Sequence, residues 1–245
     1  MSERKRKINP FVVIYLIAVF VPVGIAVTVV FALVTIVMST LFGDKKWGYW
    51  PGMVWARITC YLALVRVRVS GRENYDHGQS YIFVANHQSI FDIFLIYGWL
   101  DSKFKWIMKK ELRKIPFVGK ACECAGHIFI DRSSAMKAHK SMVKAEERLR
   151  NGVSVVIFPE GTRTRDGNVG RFKRGAFAIA ADLHLPVVPI TIKGAYETMP
   201  YHALYVRPGV IEMKIHKPID TSAVTHENIG ELIAEAHEAI AAGLD

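Results

Sequence analysis

Cysteine is scarce in this chain: there are three in 245 residues, Cys60, Cys122 and Cys124. The last two are too close in sequence for a structural disulfide, so no covalent staple is expected and a reducing compartment is the simplest setting. No Cys-x-x-Cys pair and no His-Glu-x-x-His run occurs, and the nine histidines are scattered, so nothing at metal-ligand spacing leads us to expect a bound metal. Acidic residues are also in deficit, 22 against 32 basic ones, which leaves a formal net charge of +10. That balance suits an anionic partner: nucleic acid, an anionic bilayer or a phosphorylated substrate. In the basic stretch from 163 to 174, Phe172 is the lone aromatic, so the stacking platforms of a single-strand binder are missing and nucleic acid is not expected. Internal repeats and low-complexity tracts are absent as well.

Charge disappears altogether from Phe11 to Phe42, a run of 32 residues that follows the basic cluster Arg4 to Lys7. As a straight helix it would reach about 48 Å, beyond a hydrocarbon core of about 30 Å. It reads as a membrane anchor, with tilt, a bend or a hairpin absorbing the excess. Pro22 and Gly24 offer a place to bend. The preferred form enters one leaflet from the cytoplasm and returns, with Trp47, Tyr49, Trp50 and Trp55 at the headgroups; a single tilted span is the rival. Basic residues flank both ends, at Arg4 to Lys7 and at Lys45 and Lys46, so charge does not orient it. The run is too long for a cleaved signal peptide and lacks a small-residue cleavage site.

Residues 1–64 therefore read as a basic tail with anchoring helices, the last from Pro51 to Leu64, and residues 65–245 as a globular domain. Val65 to Val69 alternates at period two, as a half-buried strand does. Further strands are expected at Tyr81 to Ala85, within Gly126 to Arg132 between a glycine turn and a charged exit, and at Val153 to Phe158, Val187 to Ile192 and Val210 to Ile215. Pro189 places its strand at an edge or a bulge. Helices are expected from Ser89 to Trp99, after Ser133 or Ser134 with Met136, Val143 and Leu149 on one face, from Ala176 to Leu183 and from Thr225 on. The basic stretch Lys103 to Lys114 reads as a solvated helix face. Strands and helices alternate, so the fold class is α/β, a mixed, largely parallel sheet flanked by helices and preceded by the helical anchor.

The chemistry concentrates in Ala85-Asn86-His87-Gln88-Ser89-Ile90-Phe91-Asp92. His87 stands at a strand-to-helix turn. An imidazole, whose unperturbed pKa is about 6.5, can take a proton from an alcohol, and a carboxylate on its other nitrogen fixes the tautomer and steadies the imidazolium. Such a dyad carries no nucleophile of its own, so the attacking oxygen belongs to the substrate. A purely structural reading stands beside it: Ser89 and Asp92 form an acceptable capping box. Farther on, Val153 to Phe158 delivers Pro159-Glu160-Gly161-Thr162-Arg163 to a strand end, where ligands gather in open α/β sheets. Gly161 permits a sharp turn, and Arg163 offers a planar fork for phosphate oxygens. This is no Walker loop, because the Gly-Lys-Thr ending is missing. Arg132, closing Gly126 to Arg132, suits an anion or an ordinary salt bridge.

Four blocks in order, Asn86 to Asp92, Gly126 to Arg132, Phe158 to Arg163 and Leu185 to Ile190, resemble the glycerolipid acyltransferase family. Within it they are most like the bacterial 1-acyl-sn-glycerol-3-phosphate acyltransferases, over roughly residues 65 to 195. The resemblance implies that His87 is the general base and Asp92 its partner. It implies that Glu160, Gly161, Thr162 and Arg163 help to hold a glycerol phosphate, together with Arg132 and Lys110. Thr164 stands where many members carry serine, a minor departure.

The implied reaction moves an acyl group from acyl-CoA or acyl carrier protein to the 2-hydroxyl of lysophosphatidic acid, giving phosphatidic acid, with no cofactor and no acyl-enzyme. Backbone N–H groups near Gly161 or Ser89 would serve the oxyanion. The implied setting is the bacterial inner membrane, with the site on the cytoplasmic side. Rival readings are another acceptor on the same fold (glycerol 3-phosphate, a lysophospholipid or an aminolipid), a Cys122 or Cys124 nucleophile, which Glu123 disfavours, and a non-catalytic module that binds anionic lipid.

Overall fold

The computed structural model describes residues 9–131, 133, 153–203 and 205–244. Arg132 and the helix expected after Ser133 therefore lie outside the described residues. The chain opens with α1 (Pro10–Tyr15), a π-helical turn (Leu16–Phe20) and α2 (Val21–Phe42), continuous as one helix of 33 residues. By length and composition it can cross a membrane, and most of it is exposed or half-buried, with Leu16, Ala32, Thr35 and Ser39 buried. The helix is unbroken at Pro22 and Gly24, so no hairpin forms there. Proline lacks an N–H and crowds the carbonyl one turn back; the wide turn just before Pro22, closed by Val21 N–H to the Leu16 carbonyl, accommodates both within a continuous helix.

Reversal comes later, at Gly43 (φ 86°). After the short α3 (Asp44–Trp47), α4 (Trp50–Leu62) packs back along α2, with the Trp55 indole donating to Thr28 Oγ1 at 3.0 Å. The inner side of α4 (Met53, Ala56, Cys60) joins the core of the sheet domain, so the N-terminal helices and the domain share packing.

The strands are β1 (Val65–Ser70), β2 (Ile82–Ala85), β3 (Phe104–Lys109), β4 (Ile128–Ile130), β5 (Ser154–Ile157), β6 (Val187–Lys193) and β7 (Gly209–Ile215). Among the described residues they form one sheet in the order β1-β7-β6-β2-β5-β3-β4, parallel throughout except where β6 meets β7. The helices are α5 (Phe91–Trp99), α6 (Val118–Cys124), α7 (Gly175–Leu183), α8 (Ala195–Thr198) and α9 (Ile229–Ala242). Strand β2 is central and all four of its residues are buried, because alternate side chains enter two different cores. Phe83 and Ala85 face the layer of α4 and α5, while Ile82 and Val84 face that of α7 and α9. The expected mixed, mostly parallel sheet flanked by helices is what forms.

One local expectation changes and another is resolved. Lys103 to Lys114 is not one helix face: Phe104, Trp106 and Ile107 are buried in β3, and only the following 3₁₀ turn, Lys110–Lys114, is basic and exposed. Lys105, half-buried and donating to Asp44 and the Ala125 carbonyl, and Lys109, exposed at the strand's end, disguised β3 as a charged segment. Pro189 does not lie at an edge, since β6 pairs with both β2 and β7; it lies at a bulge, the other place expected, where residues 188 and 189 oppose residues 216 to 218. Its missing N–H falls where the β7 ladder has ended at Ile215 and the chain has not yet returned at the Val187–Ile219 bridge, while its carbonyl still accepts from His216 N–H.

Candidate active site

Parallel pairing brings the carboxyl ends of β2, β3, β4, β5 and β6 to one end of the sheet, the location where open α/β sheets hold ligands. His87 leaves β2 there. Its Nδ1 lies 2.8 Å from Asp92 Oδ2. The same oxygen accepts from Gln88 N–H at 2.6 Å and Ser89 N–H at 2.7 Å. Asp92, fully buried in the first turn of α5, thus does both things the sequence allowed: it binds backbone amides at a helix start and it orients the imidazole. A carboxylate only accepts, so Nδ1 carries the proton. That leaves Nε2 as the basic nitrogen, with no partner among the described residues, on a side chain 15% exposed.

The loop holding His87 is fixed from every side. Asn86, buried, donates to the Ile192 carbonyl and accepts from Ile192 N–H on β6. Ser89 Oγ donates to the Met199 carbonyl at 2.8 Å. The His87 carbonyl accepts from Thr164 N–H. The Phe158 ring lies flat against the imidazole, with centroids 3.9 Å apart and planes 8° from parallel, and Trp106 stacks behind it. Asn86 and Phe158 stand inside the quoted sequence blocks, yet nothing in their spacing reveals these contacts; strand adjacency makes them.

Glu160 is placed differently from a phosphate ligand. Its Oε1 accepts from His87 N–H at 2.7 Å and its Oε2 from Gly170 N–H at 2.9 Å, so it braces the His87 turn against the basic loop. Burial raises its pKa, and those two N–H donors pull the other way. Gly161 has φ 78°, which a side chain would strain. Thr162 is exposed. The Arg163 guanidinium lies over Tyr201 with Cζ 4.7 Å from the ring centroid, and Arg165 reaches the same ring at 6.0 Å. Lys110, exposed at the end of β3, pairs with Asp131 at 2.6 Å; the pairing raises the lysine pKa and holds the aspartate well below the carboxylate range.

Continued beyond the ladders, the β2–β5 and β5–β3 registers put His87, Glu160 and Lys110 at one level, with β2 and β3 two strand spacings apart, about 10 Å. Of the amides in the two stretches expected to serve an oxyanion, those of Ser89 and Gly161 themselves are engaged, the first by Asp92 and the second by the Phe158 carbonyl at 3.0 Å. Cys122 is no activated nucleophile, because burial pushes its thiol up to about 11. Among the described residues no cluster of three His, Cys, Asp or Glu side chains suits a metal.

A base with a free Nε2, oriented by a buried carboxylate and bordered by cations, can deprotonate a hydroxyl on an anionic substrate. Comparison with known proteins agrees in kind. The chain is 34% identical to the chloroplastic 1-acyl-sn-glycerol-3-phosphate acyltransferase LPAT1 of Arabidopsis thaliana, over 82% of this chain and 55% of that protein. It is 30% identical to the 1-acyl-sn-glycerol-3-phosphate acyltransferase of Saccharomyces cerevisiae, over 91% and 75% of the two chains. It spans about half the length of the chloroplastic relatives it matches. Its fold superposes on the crystal structure of the 1-acyl-sn-glycerophosphate (LPA) acyltransferase PlsC from Thermotoga maritima with TM-score 0.80, 31% identity and coverage of 96% and 94%. The Acyltransferase family model matches residues 66–193, the segment from β1 to β6 that builds the His87 end of the sheet, and the chain belongs to that family.

Proposed function

We propose that this chain is a 1-acylglycerol-3-phosphate O-acyltransferase. It moves a fatty acyl group from an acyl thioester, acyl-CoA or acyl carrier protein, to the 2-hydroxyl of lysophosphatidic acid and forms phosphatidic acid. The observation that carries this reading is the 2.8 Å Nδ1 to Oδ2 contact with Nε2 left open. Nε2 takes the acceptor's hydroxyl proton as the oxygen attacks the thioester carbonyl, and the Asp92 carboxylate stabilises the imidazolium that forms. The tetrahedral adduct collapses, the carbon–sulfur bond breaks, and the thiolate recovers the proton from Nε2. Ester and thiol are the products, with no acyl-enzyme.

Arg163 and Lys110 supply positive charge for the acceptor phosphate, with Arg132 assigned the same role from its motif position. Glu160, Gly161 and Thr162 shape the turn that presents Arg163. The apolar helix Pro10–Phe42 supports a membrane setting, which suits an acceptor and product with long acyl chains.

The test is thiol release from an acyl thioester by the purified full chain with lysophosphatidate, beside a folded His87→Ala variant. Loss of general-base catalysis predicts a fall of about 10²–10⁴-fold. Equal turnover in both proteins would discard His87 as the base.

A further inference from the structure

From the last residue of β3 the chain reads Lys109-Lys110-Glu111-Leu112-Arg113-Lys114-Ile115-Pro116-Phe117-Val118-Gly119-Lys120. It emerges at the sheet end that carries His87 and leads into α6, which packs against α2. Two large apolar side chains stand out of this basic segment, Ile115 at 43% and Phe117 at 49% exposure. Scattered exposed apolar residues are ordinary on a soluble surface. This pair is not ordinary, because the backbone is strained where it presents them. Phe117 has φ 61° and ψ −51°, and Val118 N–H donates to the Pro116 carbonyl at 2.6 Å. That is a γ-turn of the rare, strained hand, at a residue with a bulky side chain. Strain of this kind persists only where the surroundings enforce it.

The surroundings do enforce it. Ile115 N–H donates to the Leu112 carbonyl, Gly119 N–H to Ile115 and Ala121 N–H to Phe117. A Cβ on Gly119 would lie 2.1 Å from the Arg113 carbonyl oxygen, so the loop folds back tightly on itself. The tip is a preformed wedge. Around it Lys110 pairs with Asp131, while Arg113 and Lys120 share Glu123. Lys109 and Lys114, both exposed, have no acidic partner among the described residues. Val118 lies with Phe31, Ala32 and Thr35 around one apolar cavity of about 70 Å³, which places the wedge beside α2.

We propose that the Ile115–Phe117 wedge is a second bilayer contact of this protein, inserted among anionic lipid headgroups beside the N-terminal helix. An apolar tip rimmed by unpaired cations has the chemistry of an interfacial insertion element. Continuity with the apolar surface of α2 argues for a bilayer as the occupant over a soluble partner. The wedge holds the catalytic end of the sheet at the headgroup plane, with Lys110, the first residue after β3, set where an anionic lipid leaves the bilayer.

The first test does not depend on the proposed activity. A nitroxide is placed at Phe117→Cys in the full chain carrying Cys60→Ala, Cys122→Ser and Cys124→Ser, reconstituted in vesicles of phosphatidylglycerol and phosphatidylcholine. The control label replaces Gln79, exposed at the opposite end of β2. Oxygen should collide with the label at 117 more than a water-soluble nickel chelate does, with the reverse at 79. Equal behaviour at both sites, or protection of 117 from both reagents, as in a protein interface, overturns the proposal.

The second test rests on the acyltransferase reading. Ile115→Ser/Phe117→Ser should lower kcat/KM at least about tenfold for lysophosphatidate presented in those vesicles, since the bilayer burial of two half-exposed apolar side chains is lost. For a water-soluble short-chain acceptor it should stay within about twofold. Equal losses for both acceptors would place the effect in the site and refute the wedge. No turnover of either acceptor by the parent protein would refute the activity, with the label experiment still deciding the wedge.

Discussion

Asp92→Asn separates the two duties of the buried carboxylate. Oδ2 accepts from Gln88 N–H, Ser89 N–H and the imidazole, while Oδ1 has no partner among the described residues. The two backbone donors oblige an asparagine to place its oxygen at the Oδ2 position, with its amide in the space of Oδ1. The imidazole therefore keeps its Nδ1–H tautomer, and only the negative charge is lost. A hydrogen bond to a charged group contributes about 1.5–3 kcal/mol against about 0.5–1.5 for a neutral one, so the transition state loses about 1–2.5 kcal/mol. In rate that is about 5- to 70-fold in kcat. The amide left unpaired at Oδ1 costs about 1–3 kcal/mol of stability. Thiol release at saturating acceptor gives kcat, its dependence on acceptor gives KM, and chemical denaturation gives stability. KM should hold within about twofold. A fall matching His87→Ala would mean that the amide had turned and the tautomer had inverted, and a fall below about threefold would mean that the carboxylate's charge does not serve the reaction; either result refutes the reasoning.

Two further outcomes follow from other buried polar groups. Glu160→Gln keeps one acceptor for two donors, so either His87 N–H or Gly170 N–H loses its partner. Stability should fall by about 1–3 kcal/mol, with kcat reduced and acceptor KM little changed; a rise in KM alone at full stability would make Glu160 a substrate ligand instead of a brace. His127 is buried, accepts Trp106 N–H and meets the Tyr97 hydroxyl, with its pKa lowered to about 3 by desolvation and by Lys105. A histidine depressed in the folded state binds its proton first when unfolded, so stability is lost as pH falls from about 6.5 towards 3. At about 1.36 kcal/mol per unit, the loss from this group is on the order of 4 kcal/mol over that range. Thermal denaturation between pH 7 and 4 should show it, and His127→Gln should flatten the curve; an unchanged slope in the variant would assign the loss to other groups.

Much of this protein was legible in one dimension. Phe11 to Phe42 announces a membrane-length helix because backbone in lipid must satisfy itself and needs about 20 apolar residues to cross. Val65 to Val69 shows its strand through period two, and His87 meets Asp92 because the turn and first helical residues between them are local in the chain. Where a lysine interrupts buried aromatics, as Lys105 does between Phe104 and Trp106, local pattern misled and burial decided. Tertiary structure alone determined what depends on which strands are neighbours. The pairing of β2 with β5 carries Glu160 to the His87 amide across 73 residues, and Phe158 to its ring. Pairing of β3 with β4 ends beside Lys110 and Asp131, and the fold-back at Gly119 supports the strained turn that lifts Phe117 into the open. Periodicity and spacing report the conformation and burial of a segment, whereas the partner of each segment is chosen by packing over the whole chain.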